Sequence, residues 1–572
     1  MMKKTFTLLM ASLMVSMGLS MPLCAQPNDT EPDDPKPADA AAWASWKKAT
    51  LGWGSTDIRY SRSAPVAASA KAIKLNAWKG ERVSAQAVLS TPVAFSSVKM
   101  SVSDLKCGKN IIPASAVSKF FVCYTICGAW QNNDPVLLPE RLEKYESMAV
   151  DANTSRPLWI EVKVPASAAA GLYKATLTVD CDGQKLSLPF QLQVSGNVLP
   201  EPEEWSFHLD LWQNPYAAAR YYQVPLWSKE HFDAMRPTME AYAKAGAKVI
   251  TASIIQHPWN GQTLDPFESM IAKMKQVDGS WKYDYSVFDK WIEFMLSCGI
   301  TQQIDCYTLV PWHYKFDYYD CATNSVRYVE CKPSEQAYRD MIFPFLKDFA
   351  AHLKAKGWFD ITCIAMDERP MDQMNAAYAL VKEADPGFRI AGAADYNVGS
   401  SEADKIQDMS VAYEFNLLTP ETLARRHANG QFLTFYTCCG PEKPNTFTFS
   451  DLAESAFIGW HAAAVGYDGY LRWALCSWPE QPKQDTRFGP WSSGDTFLLY
   501  PGSSSLRFER LVEGIQDYEK IRIIRETGTE AQKAALEAVL AKCFAANKYD
   551  HSQAAADLVA EGKKVLLSVQ GK

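Results

Sequence analysis

Residues 360–395 read DITCIAMDERPMDQMNAAYALVKEADPGFRIAGAAD, and this stretch decides the architecture. ITCIAM is an apolar run without polar alternation, as a strand buried on both faces requires. It closes on two adjacent carboxylates, Asp367 and Glu368. DQMNAAYALVKEAD then has helical spacing, and Pro386-Gly387 stops it. RIAGAAD returns as a second apolar strand, completing a β–α–β unit of the kind that builds parallel sheets.

Working outward, the same alternation recurs in both directions. Upstream lie SFHLDLW, KVITASII and QQIDCYTLV; downstream lie SVAYEFN, FLTFYTCC and GYLRWALCSW. Helical segments separate them, among them HFDAMRPTMEAYAKAGA, YSVFDKWIEFMLSCG and LAESAFIGWHAAAVG. Eight strand candidates between residues 206 and 478 predict a (β/α)8 TIM barrel, whose usual length is about 250 residues. A doubly wound open sheet is the structural alternative, but no GxGxxG follows a strand and no P-loop is present.

The chain before the barrel has a different texture. RVSAQAVLS, PLWIEVKVP, YKATLTVD and LSLPFQLQVS are short alternating runs, broken at Gly108-Lys109-Asn110 and Asp182-Gly183. They predict an antiparallel β-sandwich over 53–200, followed by a linker at Leu199-Pro200-Glu201-Pro202. The barrel is assigned to 201–525, with SLRFERLVEGIQDYEKIRIIRET as its last helix. Residues 526–572, rich in Ala, Lys and Glu, predict a helical extension.

Lys3 and Lys4, the apolar stretch Thr5 to Leu19, and Leu23-Cys24-Ala25 read as a signal peptide over 1–25. Export to the periplasm or the medium follows; lipid anchoring at Cys24 is disfavoured by Leu23 before it. Residues 26–52 form a linker, whose Pro- and Asp-rich part to Ala42 reads as a flexible tether. No later run is long and apolar enough to span a membrane.

The composition is globular, with 22% charged and 47% hydrophobic residues, and the net charge of −7 gives no reason to expect nucleic acid. Cys123 and Cys127 are candidates for a bridge, while most other cysteines sit in apolar runs as small buried residues. There is no CxxC and no HExxH, so no metal site is indicated. The oligomeric state is not legible.

Active sites of such barrels form at the C-terminal strand ends. Those ends supply Asp210, Trp212, His257, Trp259, Tyr307, Trp312, His313, Asp367, Glu368, Asp395, Tyr396, Tyr413, Glu414, Tyr436, Arg472, Trp473 and Trp478. Carboxylates and aromatics suit neutral carbohydrate, which needs hydroxyl acceptors and flat stacking faces. Two neighbouring carboxylates repel, so one can stay protonated as an acid while the other stays ionised. Glycoside hydrolysis needs that division. Capping of the following helix by Asp367 is the plainer explanation of the pair. Ordinary retaining enzymes place two carboxyls about 5 Å apart across the bond. An adjacent pair better suits attack by the sugar's own 2-acetamido oxygen.

IAMDERP, GYLRWALCSWPEQP, WSSGDTFLLYPG and SLRFERLVEGIQDYEKI together resemble glycoside hydrolase family 123, the β-N-acetylgalactosaminidases. The resemblance implies that Asp367 orients the acetamido group and Glu368 is the general acid/base. It also implies net retention, no cofactor, and a GalNAc-containing oligosaccharide or glycolipid as partner. The family pattern carries Pro directly after the Glu; Arg369 stands here. β-N-acetylglucosaminidase, another glycosidase, or a non-catalytic glycan binder are the rival readings. Arg507, Glu509 and Asp517 read as structural.

Overall fold

The structure is a computed structural model and describes residues 30–36, 39–67, 70–128, 134–394, 403–413, 419–546 and 555–568. The signal segment with Cys24, and the strand-end residues Asp395, Tyr396 and Glu414, lie outside the described residues.

Eight strands form one parallel sheet: β1 (His208–Leu211), β2 (Val249–Ser253), β3 (Gln303–Tyr307), β4 (Thr362–Met366), β5 (Arg389–Ala394), β6 (Asp408–Ala412), β7 (Phe432–Tyr436) and β8 (Gly469–Arg472). Successive strands pair from β2 through β8, and β8 pairs with β1. The last seam, β1 to β2, closes through a bridge between Leu209 and Ala247. Side chains add to the sparse backbone pairing there. The Gln213 amide donates to Val249 O at 3.2 Å and accepts from Thr251 N at 2.9 Å. The Tyr242 hydroxyl lies between Leu209 O and Leu211 N at 3.1 and 3.0 Å. The sheet is thus the predicted (β/α)8 barrel.

Strand parity sorts its side chains. Leu209 and Leu211, Ile304 and Cys306, Ile364 and Met366, and Leu433 and Phe435 face the layer under the helices. Trp212, Tyr307, Cys363, Ala365, Tyr436 and Leu471 gather in a separate inner cluster. The helix Met371–Ala384 after β4 buries Met374, Ala377, Tyr378 and Val381, an i, i+3, i+4, i+7 stripe.

The helix Leu506–Thr527 is the last barrel helix and crosses the helix Leu452–Val465 at two glycines. A Cβ on Gly514 would lie 2.2 Å from Ala456 O, and one on Gly459 2.0 Å from Gly514 O. Backbone meets backbone there, so neither contact can yield by a side-chain rotation. Gly514→Ala is therefore expected to cost about 1–3 kcal/mol. A lower denaturation midpoint at unchanged slope checks it, and an unchanged midpoint would refute the close crossing.

The N-terminal domain is a sandwich of two sheets around one core. It is antiparallel except that Ile73–Lys79 pairs in parallel with Gln184–Val198. The tail motif fastens it to the barrel. Ser504–Ser505 adds a short strand to Val136–Glu143, and Arg507 pairs with Glu140 at 2.8 Å, both buried. Arg82 reaches Glu509 at 2.9 Å, and Trp460 donates to Asp517 at 3.1 Å. The helices Glu530–Ala546 and Ala555–Ser568 cover Trp460, against whose ring Gly562 packs.

Three expectations change. The linker is partly bound: in the stretch read as a tether Glu31 pairs with Arg156 and accepts from Tyr124 N at 2.9 Å, and just beyond it Trp43 is buried. Composition shows too few apolar residues for a core but does not reveal single anchors. Cys123 and Cys127 are free thiols on one strand, where four residues of extended chain separate them by about 13 Å. The loops after β2 and β3 also carry an unforeseen four-stranded sheet: Ala272–Lys275, Trp281–Asp284, Lys315–Asp320 and Ser325–Glu330.

Candidate active site

Asp367 and Glu368 leave the end of β4 half-buried. Parity points Asp367 inward after Ala365, and the chain turns at once toward the helix Met371–Ala384. The two side chains then find different partners. Trp312, in the loop after β3, donates its indole N–H to Asp367 Oδ2 at 3.0 Å. Tyr436, at the end of β7, donates its hydroxyl to Glu368 Oε1. Because β5 and β6 stand between β4 and β7, Glu368 reaches across the barrel mouth to make that contact.

Burial pushes Asp367 above the ordinary carboxylate range, while the amide of Glu368, the Trp312 indole and the Arg369 charge oppose the rise. Its donors and the Arg369 charge thus favour the ionised form against burial.

Aromatic rings floor and wall this mouth. Trp212 stacks on Trp259 with centroids 4.8 Å apart, and Tyr307 meets both at 4.5 and 5.1 Å. Trp312 and Trp473 are half-buried at the edge of the same cluster. Trp473 is fixed by its N–H on Asp495 at 3.0 Å and by an edge contact with Trp491 at 5.6 Å. His257 lies exposed on the rim loop after β2, whose Pro258 carbonyl faces Trp312 N.

Other strand-end residues are not brought to the mouth. Asp210 lies beneath Trp212, which donates to it at 3.3 Å, in a buried polar floor where His208 and Gln303 bond Asp408 at 2.7 and 2.6 Å. Burial, then the Asp408 charge, pushes Asp210 up to about 7. Tyr413 has the outward parity of β6 and packs on His461 and Phe435. Arg472 turns outward from β8 and pairs with Asp495 at 2.8 Å, not with Asp367. Trp478 is buried against Tyr221 and Tyr222, its N–H on Leu499 O at 2.7 Å. Alternation within each strand separates Tyr413 and Arg472 from Tyr436 and Trp473, a signal present in the sequence. Asp495, Trp491 and Tyr314 sit outside the strands, so strand-end reasoning did not reach them.

A cleft of about 1140 Å³ opens elsewhere, between sandwich and barrel, lined by Arg82, Phe120, Lys144, Trp205 and Phe508. Trp205 precedes β1, which places the cleft by the N-terminal strand ends, away from Asp367. Among the described residues no group of three or more His, Cys, Asp or Glu is arranged to hold a metal ion, and no helix is long and apolar enough to cross a membrane.

Comparison with known proteins agrees with this fold. Residues 212–524 match the catalytic domain of glycoside hydrolase family 123, and residues 53–181 match that family's N-terminal domain. A family 123 glycoside hydrolase from Clostridium perfringens, studied for glycolipid glycan hydrolysis, is 26% identical with a TM-score of 0.82. That similarity covers 91% of this chain and 97% of the other. A putative α-galactosidase from Bacteroides fragilis is 10% identical with a TM-score of 0.26, over 78% of each chain. It is too distant to bear on function. No protein of curated function matches. With the carboxylate pair at the mouth of the matched barrel, the chain belongs to glycoside hydrolase family 123 and is a glycoside hydrolase.

Proposed function

We propose that the protein is a retaining exo-β-N-acetylgalactosaminidase that removes terminal β-linked GalNAc from glycans or glycolipids by substrate-assisted catalysis. One observation carries this reading: two adjacent carboxylates at one strand end are held by separate donors, Trp312 on Asp367 and Tyr436 on Glu368. Asp367 accepts the acetamide N–H and raises the nucleophilicity of the acetamide oxygen. Glu368 gives its proton to the leaving oxygen, then takes one from water as the oxazoline opens. The aromatic floor excludes water from the face where the ring closes.

The Clostridium perfringens relative supports a glycolipid glycan as substrate. Export to the periplasm or beyond, read from the N-terminal signal, would bring the enzyme to such glycans. GalNAc over GlcNAc rests on family membership, since the C4 hydroxyl alone separates them.

The test is hydrolysis of paired nitrophenyl β-GalNAc and β-GlcNAc by the full-length protein, with Asp367→Asn alongside. Turnover of the GalNAc substrate, falling by about two orders of magnitude or more in the variant, is expected. Preference for GlcNAc would overturn the specificity, and turnover of neither would overturn the substrate class.

A further inference from the structure

We propose that Arg369 is a positioning residue: it clamps the loop after β3 so that Trp312 keeps its indole N–H on Asp367. The part of this that concerns turnover rests on the function proposed above.

The geometry is a staple with two points of attachment. The Arg369 guanidinium carbon lies 5.1 Å from the Trp312 ring centroid and 4.9 Å from that of Tyr314. Its Nη2 donates to the Trp312 carbonyl at 3.1 Å. The indole of the same Trp312 donates to Asp367 Oδ2 at 3.0 Å. Arg369 follows Asp367 by two residues. One end of β4 therefore grips Trp312 through its backbone and its ring, and Trp312 grips that same end through the carboxylate.

Two consequences follow for Asp367. Its carboxylate plane is held against rotation, so it presents a fixed oxygen edge to an acetamide. A positive charge also stays beside it, favouring the ionised form that accepts that N–H. A planar guanidinium suits this place because it stacks on aromatic faces while donating in its own plane; an ammonium cannot do both. Asp367 must be ionised to work, so activity falls as pH drops through its titration. Loss of Arg369 raises that titration and moves the acid limb to higher pH.

The experiment uses full-length protein labelled with 5-fluorotryptophan. The chain has 18 Trp, and Trp312→Phe assigns the ¹⁹F resonance of Trp312 by its disappearance. That resonance is expected to follow the ionisation of Asp367, with its midpoint moved to higher pH in Arg369→Met. On the nitrophenyl β-GalNAc substrate, Arg369→Met is expected to lower kcat by about ten- to a hundredfold, since misplacing a catalytic group costs that much. The acid limb should move with the resonance. Added to Trp312→Phe, Arg369→Met should cost little more, because both act through one contact. Arg369→Lys, which keeps the charge without the two-sided stack, should lie between wild type and Arg369→Met, and it carries the test if Arg369→Met does not fold.

An unmoved resonance midpoint, or losses that simply add in the double variant, would overturn the clamp. A wild-type enzyme that turns over neither sugar, with the resonance still shifting in Arg369→Met, would overturn the proposed substrate and leave the clamp standing.

Discussion

Glu368→Gln lowers kcat/KM on β-N-acetylgalactosaminides of ordinary alcohols by about 10²–10⁴, while dinitrophenyl glycosides lose far less. The reason is the leaving group. An alkoxide leaves only as it gains a proton, and in the proposed mechanism Glu368 gives it. Its side chain extends from β4 across the mouth to Tyr436, over the aromatic floor. A dinitrophenolate is stable as an anion and needs no acid. The comparison belongs on kcat/KM, which reports the steps through bond cleavage and leaves out the later hydrolysis that also needs Glu368 as base. Equal losses on both substrates would show that Glu368 holds the fold or the sugar and donates no proton. Tyr436 acts through the same contact by fixing where the carboxyl points.

The thiazoline derived from GalNAc binds at least about a hundredfold tighter than GalNAc itself, the low end for an analogue of a reaction intermediate. It carries the fused five-membered ring that forms when the acetamide oxygen attacks the anomeric carbon. Only a site shaped for that ring gains from it. In the proposed mechanism Asp367, whose carboxylate accepts from Trp312, meets the ring nitrogen. Asp367→Asn should remove most of the gain while weakening GalNAc itself much less. Calorimetry on the four combinations measures this directly. Similar affinities of thiazoline and GalNAc for the wild type would exclude anchimeric attack and send the search for a nucleophile to another strand end.

These two results depend on different parts of the site, and the sequence exposed the parts unequally. The carboxylates were legible because ITCIAM is unbroken and stops on them; a strand leaving a core can only end where polar groups reach a cavity. Trp212, Trp259, Tyr307 and Tyr436 were named on the same reasoning, and the structure gathers them in one cluster. Trp478 was not distinguishable from them, because a large aromatic ring satisfies a rim and a core equally well. Its indole N–H found a backbone carbonyl instead of substrate space.

Arg472 shows the same limit in electrostatic form. It stands at a strand end near the mouth, yet its buried charge was met by Asp495, in a segment that has no periodic pattern. A charge inside a protein is paired with whatever the fold brings near, and that distance is not encoded locally.

By itself, then, the sequence determined the order of layers, the barrel with its sandwich, and the carboxylate pair. Hydrophobic period and strand termination are local properties, and each is dictated by burial of the segment that carries it. Only the tertiary structure decided that Trp312 and Tyr436 take one carboxylate each, that Arg369 meets the loop carrying Trp312, and that Asp210 lies under the floor. Those facts depend on which strand ends converge when the sheet closes between β1 and β2, and closure is a property of all eight strands together.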